Sequence, residues 1–357
     1  MPDALATVRR RLREQRLAGP PAATPADVVR WLGAVQAQEF AEAKWSLAER
    51  GDGTDDAVEA SFARGEILRT HVLRPTWHFV AREDVRWLLR LTRPRVHALN
   101  RFMYGKLGLG ADVLARGQAE LARALAGGEA LTRRELAGRL AAAGLPAAGL
   151  ALGYVLMHAE LEEVICSGPR RGRQQTYVLL DDRVPAGGPE LPRERALAEL
   201  ARRYFSSHGP ATVRDFATWA SLTRADARAG IAGAALECAE DAAGTAWYAA
   251  REPLPCRAAP PRAFLVPMYD ETVVAYQDLK VVLAREPPRA GLLERPIVLD
   301  GRTVGSWRRT LTARAATVEA TLFGPLDPDG EAALEAAVAR FGRFLGLSAG
   351  LRAQIAR

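Results

Sequence analysis

The sequence predicts an α+β fold in which three tandem winged-helix units precede a small β-rich C-terminal part. A Thr-x-x-acid pattern that suits a helix start occurs three times, beginning at Thr24, Thr132 and Thr212. Each copy follows a longer amphipathic helical pattern and precedes a further helical pattern and a β-type run. Three helices followed by a β-hairpin form a winged helix, so each copy predicts one unit. Beyond Ala263 the chain changes to short strand-like runs, which predicts the separate C-terminal part.

The three helix starts share one capping chemistry. The threonine hydroxyl accepts hydrogen bonds from backbone N–H groups of the first turn, and the acid complements the positive end of the helix. The acids are Asp27, Glu135 and Asp215, and Glu135 is placed to complete a capping box. We therefore expect a short helix directly after each threonine.

Helical and strand patterns define the remaining elements of the three units. The first unit has helical patterns at 5–17, after Thr24 and at FAEAKWSLAER, with a hairpin at 68–80; the second has them at 111–125, after Thr132 and at LALGYVLMHAELEEVI, with a hairpin turning at SGPRRGR; the third has them at 193–205, after Thr212 and at LTRADARAGIAGA, with a hairpin joining ALECAE to TAWYAA. Residues 82–107 carry two helical patterns that we expect to bridge the first and second units.

The C-terminal part is predicted to contain a β-hairpin and a final helix. Asp300-Gly301 is a typical two-residue hairpin turn, and an amphipathic pattern over about 330–344 predicts the helix. We expect this part to pack on the third unit. The predicted boundaries are 1–107 for the first unit with its bridging helices, 108–185 for the second unit, 186–260 for the third unit and 261–357 for the C-terminal part.

Composition and charge restrict the class of protein. The chain has 357 residues, of which 48% are hydrophobic and 25% charged, as in ordinary folded proteins. A net charge of +7 favours polyanionic partners, with nucleic acid first among them. Three cysteines without a CxxC pair argue against a disulfide framework and a structural zinc site. The charged N-terminus and the lack of a run of about 18 apolar residues lead us to expect a cytoplasmic, nucleoid-associated protein.

Motifs for several common chemistries are missing from the sequence. The GxSxG, P-loop, GxGxxG and HExxH patterns do not occur. The five histidines include no pair spaced as metal ligands on one helix. We therefore expect neither a metal nor a cofactor.

The most unusual local pattern is the triplet Gln36-Ala37-Gln38, which follows the helix that begins after Thr24. On a helix the two glutamine side chains would point about 200° apart, whereas in an extended or turn conformation they would point the same way. Two convergent carboxamides can hold a water molecule and stabilise developing positive charge through their carbonyl oxygens. The alternative is a pair of solvent-exposed glutamines on a helix.

Five stretches of the chain resemble the AlkZ/YcaQ-type winged-helix bacterial DNA glycosylases. They are VQAQEF (35–40), LRTHVLRPTWHF (68–79), HGPATVRDFATWASL (208–222), LVPMYDETVVAYQD (265–278) and DGRTVGSWRR (300–309), in family order over nearly the whole chain. The resemblance implies three tandem winged helices arranged as a C-shaped DNA clamp. It also implies that Gln36 and Gln38 are catalytic, in the Gln-x-Gln form that is similar to the branch giving self-resistance to DNA-alkylating natural products. Ala37 is a mild departure from the family pattern.

The resemblance implies a monofunctional DNA glycosylase that removes bulky or crosslinked N7-alkylguanine and leaves an abasic site. Alkylation at N7 makes the base cationic, so it departs as a neutral molecule and needs no strong general acid. Positioned carboxamides then place the water and stabilise the sugar cation. The implied partner is double-stranded DNA containing alkylated guanine, bound by a monomer without membrane association.

Arginines in the predicted hairpins are candidates for contacts with DNA phosphates. They are Arg69, Arg74, Arg170, Arg171, Arg173, Arg302, Arg308 and Arg309. Arg69 and Arg74 are close in sequence to the glutamine pair, where we expect them to clamp phosphates beside the lesion, and His78 is a candidate for active-site support. The alternatives are solvated hairpin turns for the arginines and a partly buried structural role for His78.

Two other classes of function are compatible with the sequence. Winged helices more often serve as transcription regulators or architectural DNA-binding proteins than as enzymes. A regulator should prefer one DNA sequence and dimerise on palindromic sites, whereas a glycosylase should leave alkali-labile sites. A third class is a resistance protein that sequesters the free natural product without DNA.

Overall fold

The computed structural model describes residues 3–185, 190–255, 262–277, 282–283 and 295–356. The N-terminal part contains α1 (Ala4–Glu14), α2 (Pro25–Leu32), β1 (Val35–Gln36), α3 (Phe40–Gly51), α4 (Asp55–Ala63), β2 (Ile67–His71), β3 (Trp77–Ala81) and α5 (Val85–Lys106). The central part contains α6 (Ala111–Leu125), β4 (Leu131–Thr132), α7 (Arg133–Ala142), α8 (Gly149–Leu161), β5 (Ile165–Arg171), β6 (Gln174–Leu179), α9 (Leu180–Arg183), α10 (Arg193–His208), α11 (Val213–Trp219), α12 (Arg224–Gly233), β7 (Leu236–Glu240) and β8 (Ala246–Ala250). The C-terminal part contains β9 (Ala263–Leu265), α13 (Glu271–Val274), β10 (Val282–Leu283), β11 (Pro296–Leu299), β12 (Arg302–Leu311), β13 (Ala315–Leu322), α14 (Pro328–Leu345) and β14 (Ser348–Ile355).

The chain repeats one order of elements: a helix, a short strand, two helices and a β-hairpin. In the first two copies the short strand pairs with the second hairpin strand, giving sheets of order β1-β3-β2 and β4-β6-β5. The third copy, from α10 to β8, has an isolated bridge between Ala211 and Tyr248 in place of the short strand. The first copy begins at α2, so the prediction that the helix near residues 5–17 opens it is wrong. Its third helix is α4, which the sequence patterns above do not include.

The three predicted helix caps are confirmed. The side chains of Thr24, Thr132 and Thr212 accept hydrogen bonds from the backbone N–H groups three residues later. Glu135 and Asp215 both reach back to the backbone of the capping threonine, which completes two capping boxes. Each of these helices therefore begins at the residue after its threonine.

The bridge between the first two units is one helix, α5, instead of the two predicted helices. It runs unbroken through Pro94. An interior proline removes a backbone hydrogen bond and costs roughly 3 kcal/mol. The buried face of α5, which includes Leu88, Leu89 and Val96, offsets this cost because it packs in the largest apolar cluster of the described residues.

That apolar cluster also sets the position of the first hairpin. Leu68 and Val80 of the hairpin pack in it with Leu200 and Phe205 of α10. The third repeated unit is thereby held against the first, although the two are far apart in sequence. This packing places the C-terminal end of α11 beside β1.

The C-terminal strands form a sheet of order β14-β13-β12-β11-β9, with β10 paired parallel to β12. The predicted hairpin turn at Asp300-Gly301 is confirmed between β11 and β12. The expectation that this part packs on the third unit is wrong for the sheet. Trp45 of α3 lies in the core of the C-terminal part, in contact with Phe341 and Phe344 of α14. The boundary predicted at 260 lies outside the described residues.

None of the helices in the described ranges combines the length and the hydropathy that a membrane-spanning helix needs.

Candidate active site

The Gln36-Ala37-Gln38 triplet leaves α2 in an extended conformation. Gln36 pairs with His78 of β3, and the Ala37 N–H continues the ladder by donating to the Trp77 carbonyl at 2.7 Å. Ala37 is fully buried, whereas Gln36 and Gln38 are half-buried. The alternation indicates that both glutamine side chains lie on the side of the chain opposite Ala37. The alternative of two glutamines on a helix is therefore wrong.

Gln36 is held at its backbone and at its side chain by charged residues. Its N–H donates to Glu271 Oε1 at 3.1 Å, and its Oε1 accepts from Arg74 Nη2 at 3.0 Å. Arg74 Nη1 also donates to the Trp219 carbonyl at 2.7 Å, and Trp219 Nε1 donates to Glu271 Oε2 at 2.8 Å. Gln36, Arg74, Trp219 and Glu271 thus form a closed set of hydrogen bonds, which we call the Gln36 network.

The Gln36 network contains a fully buried anion, Glu271, and a half-buried cation, Arg74. Burial alone would raise the pKa of Glu271, but His208, whose Nε2 lies 3.4 Å from Oε2, and Arg74 hold that pKa below its usual value. Burial lowers the pKa of Arg74. Because Glu271 is ionised, the Gln36 N–H is held by a charged acceptor, which makes a stronger hydrogen bond than a neutral one.

His78 lies beside Gln36 in the sheet and is fully buried. Its Nδ1 is 2.9 Å from the Thr76 carbonyl, which makes Nδ1 the protonated nitrogen. Burial and the charge of Arg74 lower the pKa of His78 well below its usual value. His78 is therefore a neutral residue packed next to Gln36 in the sheet, and it does not supply a proton.

Arg69 supports the backbone of the triplet. It is 6% exposed, and its Nε donates to the Ala37 carbonyl at 2.9 Å while its Nη2 lies 3.4 Å from the Gln38 carbonyl. Its guanidinium lies 4.4 Å from the centre of the Trp77 ring. Burial lowers the pKa of Arg69 to about 10. The expectation that Arg69 and Arg74 clamp phosphates is not supported by these contacts, because both guanidinium groups are turned to the protein.

A cleft of about 650 Å³ opens next to the triplet, between the first hairpin and the second repeated unit. Arg69 and Trp77 line its first wall. Its other wall is formed by α7, the start of α8 and β6, with the lining residues Thr132, Arg133, Arg134, Ala137, Ala147, Ala148, Gly149, Leu152, Gln174, Gln175 and Tyr177. Basic and amide side chains beside aromatic rings suit both the phosphates and the bases of a nucleic acid.

Comparison with known proteins identifies the family. The model of the family described as "DNA glycosylase AlkZ-like" matches residues 29–344. The chain belongs to this family. It is 26% identical over 315 residues to the interstrand DNA cross-link repair glycosylase of Streptomyces sahachiroi, covering 79% of this chain and 81% of that protein. The solved structure of Streptomyces sahachiroi DNA glycosylase AlkZ has the same fold, with a TM-score of 0.78 and 24% identity over 98% of each chain.

The arginines at the hairpin tip of the second unit of this AlkZ-like glycosylase differ in their ion pairs. Arg170 pairs with Glu59 at 3.0 Å, and Arg171 pairs with Glu135 at 2.8 Å. Arg173 follows Gly172 in the turn and is exposed, and it has no ion pair among the residues that the structure describes. Arg173 is thus the best placed of the three for a phosphate.

The arginines of β12 also differ in exposure and in their ion pairs. Arg302 and Arg308 are exposed, and in the described ranges neither makes an ion pair. Arg309 is turned inward, where its Nη2 lies 2.9 Å from Glu42 Oε1 and its guanidinium faces the Phe341 ring. The structure therefore gives Arg309 a partner within the protein.

Glu271, Trp219 and His208 were not among the candidate site residues. Glu271 follows Asp270, which caps α13 by accepting from the Thr272 N–H, and Glu271 itself accepts from the Gln36 N–H. The family resemblance could have indicated these three residues, because His208 and Trp219 lie in the stretch 208–222 and Glu271 lies in the stretch 265–278. Of the three, Glu271 contacts Gln36 directly, and that hydrogen bond joins residues 235 positions apart, which no local pattern reveals.

Proposed function

We propose that this glycosylase hydrolyses the N-glycosidic bond of N7-alkylguanine in DNA, with Gln36 and Gln38 as its catalytic residues. The observation that carries the proposal is the Gln36 network, which fixes one glutamine on a strand paired with β3, and Trp77 of β3 lines the basic cleft. A glutamine with no function would not need a buried Glu271 and a half-buried Arg74 to hold it. Positioning of this kind is the main contribution that a neutral side chain offers to catalysis.

The two glutamines have different tasks in this proposal. Arg74 has only donors, so Gln36 must turn its carbonyl oxygen towards Arg74 and its NH₂ group away. The NH₂ group is then available to donate to the oxygen of the attacking water. Gln38 has no side-chain hydrogen bond in the described structure, so its carbonyl oxygen is free to accept from the water and to face the developing sugar cation.

This arrangement suits a base that is already activated. A neutral carboxamide cannot take a proton as an ordinary general base, so the proton that the attacking water loses passes to solvent. His78 is neutral and does not serve as a general acid. N7-alkylguanine leaves as a neutral molecule and requires no proton from the enzyme. We therefore expect excision of cationic N7-alkylguanine and no excision of unmodified purines.

The open form of the cleft favours a bulky lesion as the substrate. A tight pocket requires full extrusion of the base, which a bulky or crosslinked adduct resists. We expect the cleft of about 650 Å³ to accept such an adduct from the side. We propose bulky or crosslinked N7-alkylguanine as the substrate, in line with the name of the cross-link repair relative, and self-resistance to a DNA-alkylating natural product as the biological role.

We propose that the repeated units are three winged helices that form a C-shaped clamp around double-stranded DNA, with divisions at 107, 185 and 260. The repeated order of elements supports this proposal. Arg173, Arg302 and Arg308 are the proposed phosphate contacts. We place the enzyme in the cytoplasm with the nucleoid, as a monomer without a cofactor.

The test uses duplexes that carry one N7-methylguanine or one bulky N7-alkylguanine crosslink. Released base is identified by chromatography, and strand scission is measured with and without alkali. The proposal predicts free alkylated base and scission only after alkali treatment. If both duplexes remain intact while the protein selects one DNA sequence, the regulator alternative replaces it.

A further inference from the structure

Three side chains that commonly bind metals meet between α5 and α8, away from the Gln36 network. His158 and Glu162 are four residues apart at the C-terminal end of α8, so they lie on one face of the helix. His97 approaches from α5, and its Nε2 lies 2.9 Å from Glu162 Oε1. The ligand atoms of all three residues lie within 4.8 Å of one another.

Both imidazole rings are oriented through their Nδ1 atoms. His97 Nδ1 lies 2.9 Å from the Tyr104 hydroxyl, and His158 Nδ1 lies 2.9 Å from the side-chain nitrogen of Gln118. Rotation of the Gln118 amide by 180° would present its oxygen to a protonated Nδ1 at the same place. Partners at Nδ1 fix the tautomer of a metal-binding histidine and leave Nε2 for the ion.

We propose that His97, His158 and Glu162 form a site for a divalent transition-metal ion of the Zn²⁺ type, with water as the fourth ligand. Two imidazoles and one carboxylate suit Zn²⁺, whereas Mg²⁺ and Ca²⁺ prefer oxygen ligands alone. All three residues are half-buried, so solvent reaches the site. Tetrahedral coordination at roughly 2.1 Å requires the side chains to move inward by small rotations.

Two charged groups at the site act on a bound cation in opposite directions. The Glu162 carboxylate is the group that attracts a cation, and its Oε1 lies beside His97 Nε2. Arg93 is the opposing charge, since its Nη1 lies 3.5 Å from Glu162 Oε2. Arg93 contacts the oxygen that His97 does not, so the ion and the guanidinium bind different oxygens of the carboxylate.

The site would fasten α8 to the bridging helix α5. The same end of α8 carries Glu160, whose Oε1 accepts a hydrogen bond from Trp77 Nε1 at 3.3 Å. Trp77 lines the cleft. A bound ion would therefore stabilise the wall of the cleft without taking part in the reaction.

The experiment titrates the metal-free full-length protein with ZnCl₂ in competition with a chromogenic chelator. The proposal predicts one Zn²⁺ per chain and a raised Tm. His158→Ala and Glu162→Gln should each weaken Zn²⁺ binding by more than about 100-fold, and Gln118→Ala by about 10- to 100-fold, as outer partners of metal ligands do. Co²⁺ should give the absorption bands of a tetrahedral site in the wild type and not in Glu162→Gln.

Two control variants separate this site from other metal binding. Glu194→Gln changes an exposed carboxylate on α10, outside the proposed site, and should keep the wild-type affinity. Cys238→Ser removes an exposed thiol and should also keep it. Circular dichroism checks the fold of each variant. If His158→Ala does not fold, Glu162→Gln provides the deciding measurement, because glutamine keeps the shape of the glutamate side chain. The proposal is overturned if the wild type binds no Zn²⁺, if Glu162→Gln binds like the wild type, or if Cys238→Ser abolishes binding.

Discussion

Replacement of Arg74 by alanine tests whether the Gln36 network positions the catalytic amide. Arg74 gives Gln36 one hydrogen bond from a charged donor, at 3.0 Å. Such a bond contributes about 1.5–3 kcal/mol. If that contribution is lost from the transition state, the excision rate falls about tenfold to 150-fold, at 1.36 kcal/mol per tenfold. The excision rate of Arg74→Lys should lie between those of the wild type and Arg74→Ala. An ammonium group cannot span Gln36 Oε1 and the Trp219 carbonyl as a planar guanidinium does.

The assay for Arg74 is single-turnover excision with protein in excess over a duplex carrying N7-methylguanine. DNA affinity is measured separately by fluorescence anisotropy, and thermal unfolding checks the fold. The matched control is Arg202→Ala, because Arg202 is exposed, pairs with neighbouring Glu199 on α10 and lies outside the proposed site. Wild-type excision by folded Arg74→Ala would refute the positioning role, as would a loss explained entirely by weaker DNA binding.

Further predictions concern stability, pH and salt. Burial raises the pKa of Glu49 from 4.5 to about 7, so this group lowers the stability of the fold as pH rises from 4.5 to 7, by about 3 kcal/mol. Urea unfolding of wild type and Glu49→Gln should therefore diverge over this pH interval, and parallel pH profiles would contradict the reasoning. Arg50 and Asp270 form a buried pair with two contacts of 2.8 Å, so Asp270→Asn should cost about 3–5 kcal/mol in the same assay, whereas a loss below 1 kcal/mol would show that the pair is not needed. If Arg173 and Arg308 contact phosphates, alanine at either position should lower the slope of log affinity against log salt by about 0.9, and an unchanged slope would remove that residue from the interface.

Local chemistry was sufficient to predict much of the fold. The threonine caps are local hydrogen bonds within one turn, and the structure has all three. The same chemistry marks α4, where Thr54 caps a helix that begins with Asp55, so this element was available to the same argument. Pro94 misled the prediction at α5 because the packing that offsets its cost comes from distant parts of the chain.

The candidate site was only partly accessible from the sequence. The sequence left open whether Gln36 and Gln38 lie on a helix or in an extended backbone, and the pairing of Gln36 with β3 shows the extended form. Arg69 and Arg74 were selected by their place in the hairpin, but their direction depends on Trp77 and Glu271, which tertiary packing brings to them. Charge and spacing therefore selected these two arginines without indicating the protein carbonyl groups that they contact, and their role towards DNA stays a prediction.

The most direct test of the central proposal compares Gln36→Ala and Gln38→Ala with Gln354→Ala, a matched change on the C-terminal strand β14. Each protein is incubated in excess with an N7-methylguanine duplex and with a bulky N7-alkylguanine duplex, and the released base is followed over time. The account predicts that Gln354→Ala acts as the wild type and that both other variants lose at least about 100-fold in rate while keeping their DNA affinity. Wild-type rates in Gln36→Ala and Gln38→Ala on both duplexes would contradict it and place the catalytic groups elsewhere in the cleft.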